Sequence, residues 1–308
     1  MKYTLSISLA LLPFLIVLAP PLSADGNNVK NAYSRLVPAA FKQTKFTPAQ
    51  NSTPYRIPDQ QDELVLSAPP WESPERGAQL YRPVAEYLSQ VIGRKIVYKH
   101  PGTWGVYRSE MQKGSYDLLF DGPHYNSYRT EKLGHNILVK IPGRQEFVFF
   151  VRNEPNGYTN LPQMAGHTFC TQAPPNLGTL VLLDQFDNPT RQPALISIDR
   201  GENIYKGVVS GRCDAGVLPV ANLKNLDQNK KTRVIYITQA LPSQAFSAGP
   251  RLTPAEQTRI AQALISPTAA APTEKLRAIY HVDQGFALAT NQEYQGMSAY
   301  LKNEWGFY

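Results

Sequence analysis

The feature that most constrains the fold of this chain is an alternation of strand-like and helix-like segments. Short apolar runs bounded by Gly or Pro indicate buried strands, whereas apolar residues recurring every three or four positions indicate helices. In the first half the two kinds of segment alternate at 64–66, 80–92, 95–100, 103–114, 116–120 and 123–132. This alternation predicts an α/β fold in which helices flank a mostly parallel sheet.

The same alternation begins again after two apolar stretches at 137–141 and 146–152. Strands are predicted at 168–171, 194–198, 215–220, 234–238 and 245–249, and the last helices at 253–264, 272–281 and 292–304. A length of 308 residues allows either one large domain or two lobes of ordinary size. The repeated alternation favours two lobes, each with a core of its own.

The N-terminus has the pattern of a secretory signal. Lys2 precedes an apolar stretch at 3–18, and the small-residue sequence Leu22-Ser23-Ala24 predicts cleavage before Asp25. No later stretch approaches the roughly 18 apolar residues of a membrane span. We therefore expect an exported, soluble protein with a polar N-terminal extension at 25–62.

Net charge and cysteine content argue against two classes of protein, those that bind nucleic acid and those that bind zinc. The net charge is +7, but no segment carries a dense run of Lys or Arg, so nucleic acid is not predicted as a partner. Cys170 and Cys213 are the only cysteines, and in an oxidising compartment they most simply form one disulfide, two separate buried thiols being the alternative. Their spacing lacks the paired pattern of a zinc site, so no metal is predicted.

Ligands of open parallel sheets lie outside the carboxyl ends of the strands, where loops and helix N-termini converge. Here those ends fall at 70–72 and 121–124 in the first unit and at 171–179 in the second. The strand end at 121–124 is the most abrupt of the three. There an apolar strand is followed directly by Asp121, and the next helix is predicted to start at Pro123. Asp121 is equally interpretable as the cap of that helix. Two such edges that face each other predict a ligand cleft.

Several segments, in order, resemble one known family. The stretches LYRPVAEYLSQVIGRKIVY and GSYDLLFDGPHY, followed by FVFFVRN, NLPQMAGHTFCT and VVSGRCDAGV, are similar to phosphonate/phosphite-type solute-binding proteins of ABC importers. The resemblance covers about 64–300. It implies a type II periplasmic-binding-protein fold of two α/β lobes joined by two hinge strands. The implied divisions are a signal peptide at 1–24, an extension at 25–62, lobe 1 at 63–151 and 239–308, and lobe 2 at 152–238.

The resemblance also implies a function and partners. A periplasmic, monomeric protein of this kind traps a small-molecule ligand between its lobes and delivers it to an ABC permease in the inner membrane, without a cofactor. Asp214 matches a family aspartate associated with the ligand's amino group. The family's Ser-Thr-Ser-Gly segment corresponds here to 173–179, where Pro174 and Pro175 remove two N–H donors.

Carboxylates and aromatic residues in the candidate loops suit a cationic, zwitterionic or partly apolar ligand better than a bare phosphonate. The predicted ligand contacts are Trp71, Glu72, Trp104, Asp121, His124, Tyr125, Asn176, Leu177, Gly178, Thr179 and Asp214.

Two other functions compete with transport. An enzyme is not favoured, because the sequence lacks a G-x-S-x-G elbow, an H-E-x-x-H motif and a phosphate loop. His167 and Cys170 lie three residues apart across a predicted turn and strand, which is a poor arrangement for a thiol nucleophile. A ligand-sensing module for a membrane receptor kinase is the alternative, since the same binding fold serves both roles.

Overall fold

The computed structural model describes residues 63–304, 306 and 307, so the predicted signal peptide and extension lie outside the described residues. The strands are β1 (Leu64–Ser67), β2 (Ile96–Tyr98), β3 (Leu118–Asp121), β4 (Asn136–Lys140), β5 (Arg144–Gln145), β6 (Phe147–Arg152), β7 (Thr168–Thr171), β8 (Ala194–Ser197), β9 (Ala215–Pro219), β10 (Thr232–Ile237), β11 (Leu241–Pro242), β12 (Ala245–Ala248) and β13 (Ala287–Leu288). The helices are α1 (Pro74–Ile92), α2 (Trp104–Gln112), α3 (Pro123–Lys132), α4 (Leu177–Asp184), α5 (Gly201–Val209), α6 (Val220–Leu226), α7 (Pro254–Ile265), α8 (Ala270–Ile279) and α9 (Asn291–Tyr294).

The first sheet has the strand order β13-β4-β12-β3-β1-β2 and, with its helices, forms lobe 1. β1 pairs in parallel with both β2 and β3, while β12 is antiparallel to its neighbours β3 and β4. Local signals explain the first helix: the Ser73 side chain accepts a hydrogen bond from the N–H of Arg76 at its start, and Gly93, with φ of 74°, ends it. The amphipathic face of α1 is buried on the sheet through Leu80, Val84 and Leu88.

The second sheet has the order β10-β6-β9-β7-β8 and forms lobe 2. β7 is parallel to β8 and β9, and β6 is the antiparallel member between β9 and β10. Cys170 in β7 and Cys213, just before β9, form a disulfide with a Cα–Cα distance of 5.6 Å. α5 packs directly on this bridge, because a Cβ on Gly207 would lie 2.7 Å from the sulfur of Cys170.

A two-stranded ribbon of β5 and β11 lies between the sheets, with Gln145 opposite Leu241 and Arg144 opposite Pro242. The chain therefore enters the second sheet at Phe147, five residues before the boundary predicted at 152. The predicted boundary assigns FVFFV to lobe 1, but these residues are buried in the second sheet, where β6 lies between β9 and β10. An apolar run looks the same in either sheet, and only its strand partners show which sheet it joins.

The C-terminal segment contacts both lobes. The helix predicted at 292–304 is broken: α9 ends at Tyr294, Gly296 adopts φ of 80°, and a 3-10 helix follows at Met297–Leu301. Ser298 donates a hydrogen bond of 2.6 Å to Glu131 of α3, whereas Lys302 lies 2.7 Å from Asp184 of α4. This segment therefore forms a third connection between the lobes, beside the two strands of the ribbon.

Candidate functional site

The parallel strands β1, β2 and β3 end at one edge of the first sheet, and the loops that follow them form the lobe 1 side of the candidate site. Trp71, in the loop after β1, is 48% exposed. Its ring lies edge-on to Trp104 at the start of α2, with ring centroids 4.5 Å apart. Such a T-shaped pair leaves aromatic surface available to a ligand.

Glu72 is the exposed carboxylate beside this pair. Its backbone carbonyl accepts a hydrogen bond of 3.0 Å from Nε2 of His100, which fixes the loop after β1 against the loop after β2. Within the part of the chain that the structure describes, no cation pairs with the Glu72 carboxylate. The Glu72 carboxylate is therefore an exposed acceptor at this edge of the sheet.

Asp121 occupies the end of β3, but its carboxylate is buried and already bonded within lobe 1. Oδ2 accepts from Nη1 of Arg129 at 2.9 Å and from the hydroxyl of Tyr107, and Oδ1 accepts from the N–H of Gly122 at 2.6 Å. Burial raises the pKa of the Asp121 carboxyl, and the Arg129 guanidinium opposes that shift. The arrangement fixes the start of α3 and presents no free negative charge to the cleft.

His124 lies in the first turn of α3 and reaches lobe 2. Its Nε2 is 3.2 Å from the carbonyl oxygen of Pro175, and since a carbonyl only accepts, Nε2 carries the ring proton. Nδ1 is then an acceptor, and it is buried without a hydrogen-bond partner among the described residues. Burial lowers the pKa of His124 to about 3, so the ring is neutral at physiological pH. An unpaired acceptor of this kind fits a hydrogen-donating ligand.

Tyr125 is buried behind His124 and forms the inner wall of the aromatic group. Its ring stacks on Trp104 at a centroid distance of 6.4 Å and meets Phe307 of the C-terminal segment at 5.6 Å. Leu180 of lobe 2 packs in the same apolar cluster. The structure therefore brings Trp71, Trp104 and Tyr125 into one connected aromatic group.

On lobe 2, residues 171–179 form the facing edge. Asn176 caps α4 by accepting from the N–H of Thr179, and its amide donates 2.6 Å to Gln172. The Thr171 and Thr179 hydroxyl oxygens are 2.5 Å apart, and Thr179 also donates to the carbonyl of Gln172. Both threonines are fully buried, so the groups left at this edge are the first N–H groups of α4, on Leu177 and Gly178.

Asp214 is the predicted site residue that the structure places elsewhere. It precedes β9, and its carboxylate accepts from the N–H and hydroxyl of Thr168, at the beginning of β7. Burial is the largest single influence on the Asp214 carboxyl and by itself would raise its pKa. The hydrogen bonds together outweigh burial, so the pKa of Asp214 is lowered. Both residues lie at the amino ends of parallel strands, the edge opposite 171–179.

Two residues at the site were missed from the sequence. Tyr98 is the last residue of β2 and His100 lies just after it, and the carboxyl end of β2 lies at the same edge as those of β1 and β3. Ligands lie outside the carboxyl ends of parallel strands, and the same rule that selects 70–72 after β1 also selects Tyr98 and His100 at the end of β2. Tyr98 stacks on Tyr81 with centroids 5.1 Å apart, and its hydroxyl lies where a side chain at Gly77 would be.

Comparison with solved structures identifies the fold. The structure of XAC2383 from Xanthomonas citri bound to ATP has a TM-score of 0.62 and 17% identity, covering 78% of this chain and 97% of that chain. PhnD1 from Prochlorococcus marinus in complex with methylphosphonate has a TM-score of 0.59 and 14% identity, with the same coverage. A binding protein component of an ABC phosphonate transporter from Pseudomonas aeruginosa has a TM-score of 0.54 and 13% identity. That match covers 75% of this chain and 83% of that chain. The class is that of type II periplasmic binding proteins, which confirms the predicted fold.

The family follows from the sequence match. Residues 66–294 match the family of ABC transporter, phosphonate, periplasmic substrate-binding proteins, and the chain belongs to that family. This confirms the predicted function as a solute-binding component of an ABC transporter. A comparison with curated proteins found no match. Among the described residues, no helix has the length and apolar character needed to cross a membrane.

Proposed function

We propose that this protein captures a small, partly apolar solute with a cationic or hydrogen-donating group, closing its two lobes around it and releasing it to an ABC permease. The observation that carries this proposal is the exposed Trp71, which lies edge-on to Trp104. Next to it in sequence is Glu72, whose carboxylate has no ion-pair partner among the described residues. Aromatic faces with an adjacent carboxylate favour an organic cation or an amine-bearing ring. Nδ1 of His124, which is buried and has no hydrogen-bond partner among the described residues, supplies an acceptor.

The lobe 2 edge supports the same choice of ligand. A phosphonate needs several donors, but Pro174 and Pro175 have no N–H, and the hydroxyls of Thr171 and Thr179 are used within the protein. Two N–H groups at the start of α4 remain, and they suit a carbonyl or one carboxylate oxygen. The ligand set is therefore Trp71, Glu72, Trp104, His124, Tyr125, Asn176, Leu177 and Gly178, without Asp121, Thr179 and Asp214.

Closure follows from the connections between the lobes. The β5–β11 ribbon and the loops beside it are short, so bending at few residues moves one lobe against the other as a rigid body. His124 already contacts Pro175 in this structure, so opening of the lobes would separate these two residues to admit the solute. No bond of the ligand is made or broken in this cycle.

Tryptophan fluorescence tests the ligand class, because the chain has three tryptophans and two of them line the site. The titrants are methylphosphonate, ATP, a quaternary amine and an aromatic amine, the first two being the ligands in the solved relatives. We expect saturable quenching by an amine, weakened at least about tenfold in Trp71→Ala. Leu288→Ala, which also alters an exposed apolar residue of lobe 1, is the control and binds normally. Tighter binding of methylphosphonate than of either amine contradicts the proposed ligand class.

Export and oligomeric state complete the proposal. We propose cleavage before Asp25, a periplasmic location and a monomer, in keeping with the family and with the N-terminal pattern. N-terminal sequencing of the protein recovered from the periplasm tests the cleavage, and light scattering tests the monomer. A mature chain that begins at Met1 contradicts export by this signal.

A further inference from the structure

A groove on lobe 2 lies between the edge strand β8 and helix α5. Its volume is about 480 Å³, and we call it the β8 groove. The lining residues are Ser197, Ile198, Asp199, Arg200, Asn203, Lys206, Gly207, Ser210 and Arg212. Ile198 is buried in the cluster under α5, so the floor is apolar while the rim is polar and charged.

The outer edge of β8 is open to pairing. β8 is the last strand of its sheet, and the N–H groups of Ala194 and Ile198 donate inward to carbonyls of His167 and Thr171. In a parallel ladder alternate residues face the partner, so the backbone groups of Leu195 and Ser197 face outward. Pro193 precedes them and offers no N–H, which restricts the open edge to 195–199. This edge is about 13 Å long at 3.3 Å per residue.

The rim of the groove carries an excess of positive charge. Lys206 forms an ion pair of 2.5 Å with Glu202, which is not one of the lining residues. Arg200 and Arg212 are exposed, and the residues described by the structure include no ion-pair partner for either guanidinium. Asp199 is the single acidic residue of the lining. Two exposed guanidinium groups that lack an ion-pair partner among the described residues, beside an open strand edge, favour an acidic partner.

We infer that the β8 groove is a docking surface for an extended, acidic segment of a partner protein. The segment adds a strand to β8 through the outward groups of Leu195 and Ser197, and its carboxylates meet Arg200 and Arg212. Strand addition supplies main-chain hydrogen bonds, and the charges supply specificity. The inference does not depend on which solute the protein carries.

The test uses the full chain and the acetylated peptide Glu-Val-Glu-Val-Glu, with Lys-Val-Lys-Val-Lys as the matched basic probe. Amide NMR shifts of the ¹⁵N-labelled protein report binding. We expect the acidic peptide to shift the amides of 195–199 at concentrations up to about 1 mM, and the basic peptide to leave them unchanged. The absence of shifts at that concentration, or equal shifts with the basic peptide, overturns the inference.

Two matched pairs of variants separate charge from strand pairing. Arg200→Glu/Arg212→Glu should weaken binding at least about tenfold, whereas Lys224→Glu/Lys275→Glu, with the same change in net charge, should not. Ser197→Pro removes an outward N–H and should abolish the shifts, whereas Ser197→Ala retains it. Inorganic phosphate that shifts the same amides as strongly as the peptide defines a simple anion site and overturns the inference. Solute binding stays normal in all four variants, so failure here is distinguishable from failure of the proposed function.

Discussion

His124 of lobe 1 and Pro175 of lobe 2 lie in direct contact, with Nε2 of the imidazole 3.2 Å from the proline carbonyl oxygen. The contact joins the two strand edges that the sequence selects as the sides of a ligand cleft. It also fixes the tautomer of the ring and leaves Nδ1 as a buried acceptor without a partner among the described residues.

Replacing His124 by Leu should weaken solute binding about tenfold, because both the contact to Pro175 and the Nδ1 acceptor are lost. His124→Gln retains a donor and an acceptor and should lose less. Isothermal titration with the solute identified by fluorescence measures the difference. Equal affinity of His124→Leu and wild type contradicts a role for the ring in the site.

The stability of the protein should fall as the pH is lowered from 7 to 5. Burial lowers the pKa of both His124 and His135 to about 3, against about 6.5 in an unfolded chain. The unfolded state therefore binds more protons between these values, and stability present at neutral pH is lost as pH falls below about 6.5. At pH 5 the loss is about 2 kcal/mol for each histidine, from 1.36 kcal/mol per pKa unit.

Urea unfolding at pH 7 and pH 5 measures this loss. His124→Gln should reduce the difference between the two pH values by about 2 kcal/mol. His100→Gln is the control, since His100 is only half-buried. A difference that is the same in His124→Gln and wild type shows that His124 titrates normally in the folded state.

The buried pair of Asp121 and Arg129 should be a large contributor to the integrity of lobe 1. Asp121→Asn leaves the guanidinium buried without its counter-charge, and we expect a loss of about 3–5 kcal/mol in the free energy of unfolding. The double variant Asp121→Asn/Arg129→Met removes both charges and should lose less than the sum of Asp121→Asn and Arg129→Met. Additive losses in this cycle contradict a direct coupling between the two side chains.

The fold was more predictable than the site, and α3 shows why. The helix spans 123–132 both in the prediction and in the structure, because a strand ending and a proline in the first turn are local signals. The partner of Asp121 was not predictable: Arg129 follows eight residues later near the end of a helix, where an exposed cation is the ordinary expectation. Its burial results from packing against Tyr107 and Ser247, residues distant in the sequence.

The lobe boundary and the Asp214 position illustrate the same limit. Local patterns identify β6 and β9 as strands, but the sheet that β6 joins depends on its partners. Asp214 matches a family position by sequence, whereas the direction of β9 places it at the edge remote from the candidate site. The sequence predicts the individual strands and helices, but it does not predict which strands pair or at which edge of the sheet a residue lies.

The disulfide between Cys170 and Cys213 should stabilise lobe 2, because it closes a loop with a sequence separation of 43. Chain-entropy arguments give about 4 kcal/mol for a loop of this size. Cys170→Ala/Cys213→Ala should lower the melting temperature, and a reducing agent should do so in wild type but not in the variant. An equal response of both proteins to the reducing agent contradicts the assignment.

Small-angle X-ray scattering tests hinge closure most directly. The protein is measured alone and then saturated with the solute that gives the tightest binding by fluorescence. Closure of the lobes about the β5–β11 ribbon predicts a smaller radius of gyration with solute and a smaller change in His124→Leu. A radius of gyration that is unchanged at saturation contradicts capture of the solute by closure of the two lobes.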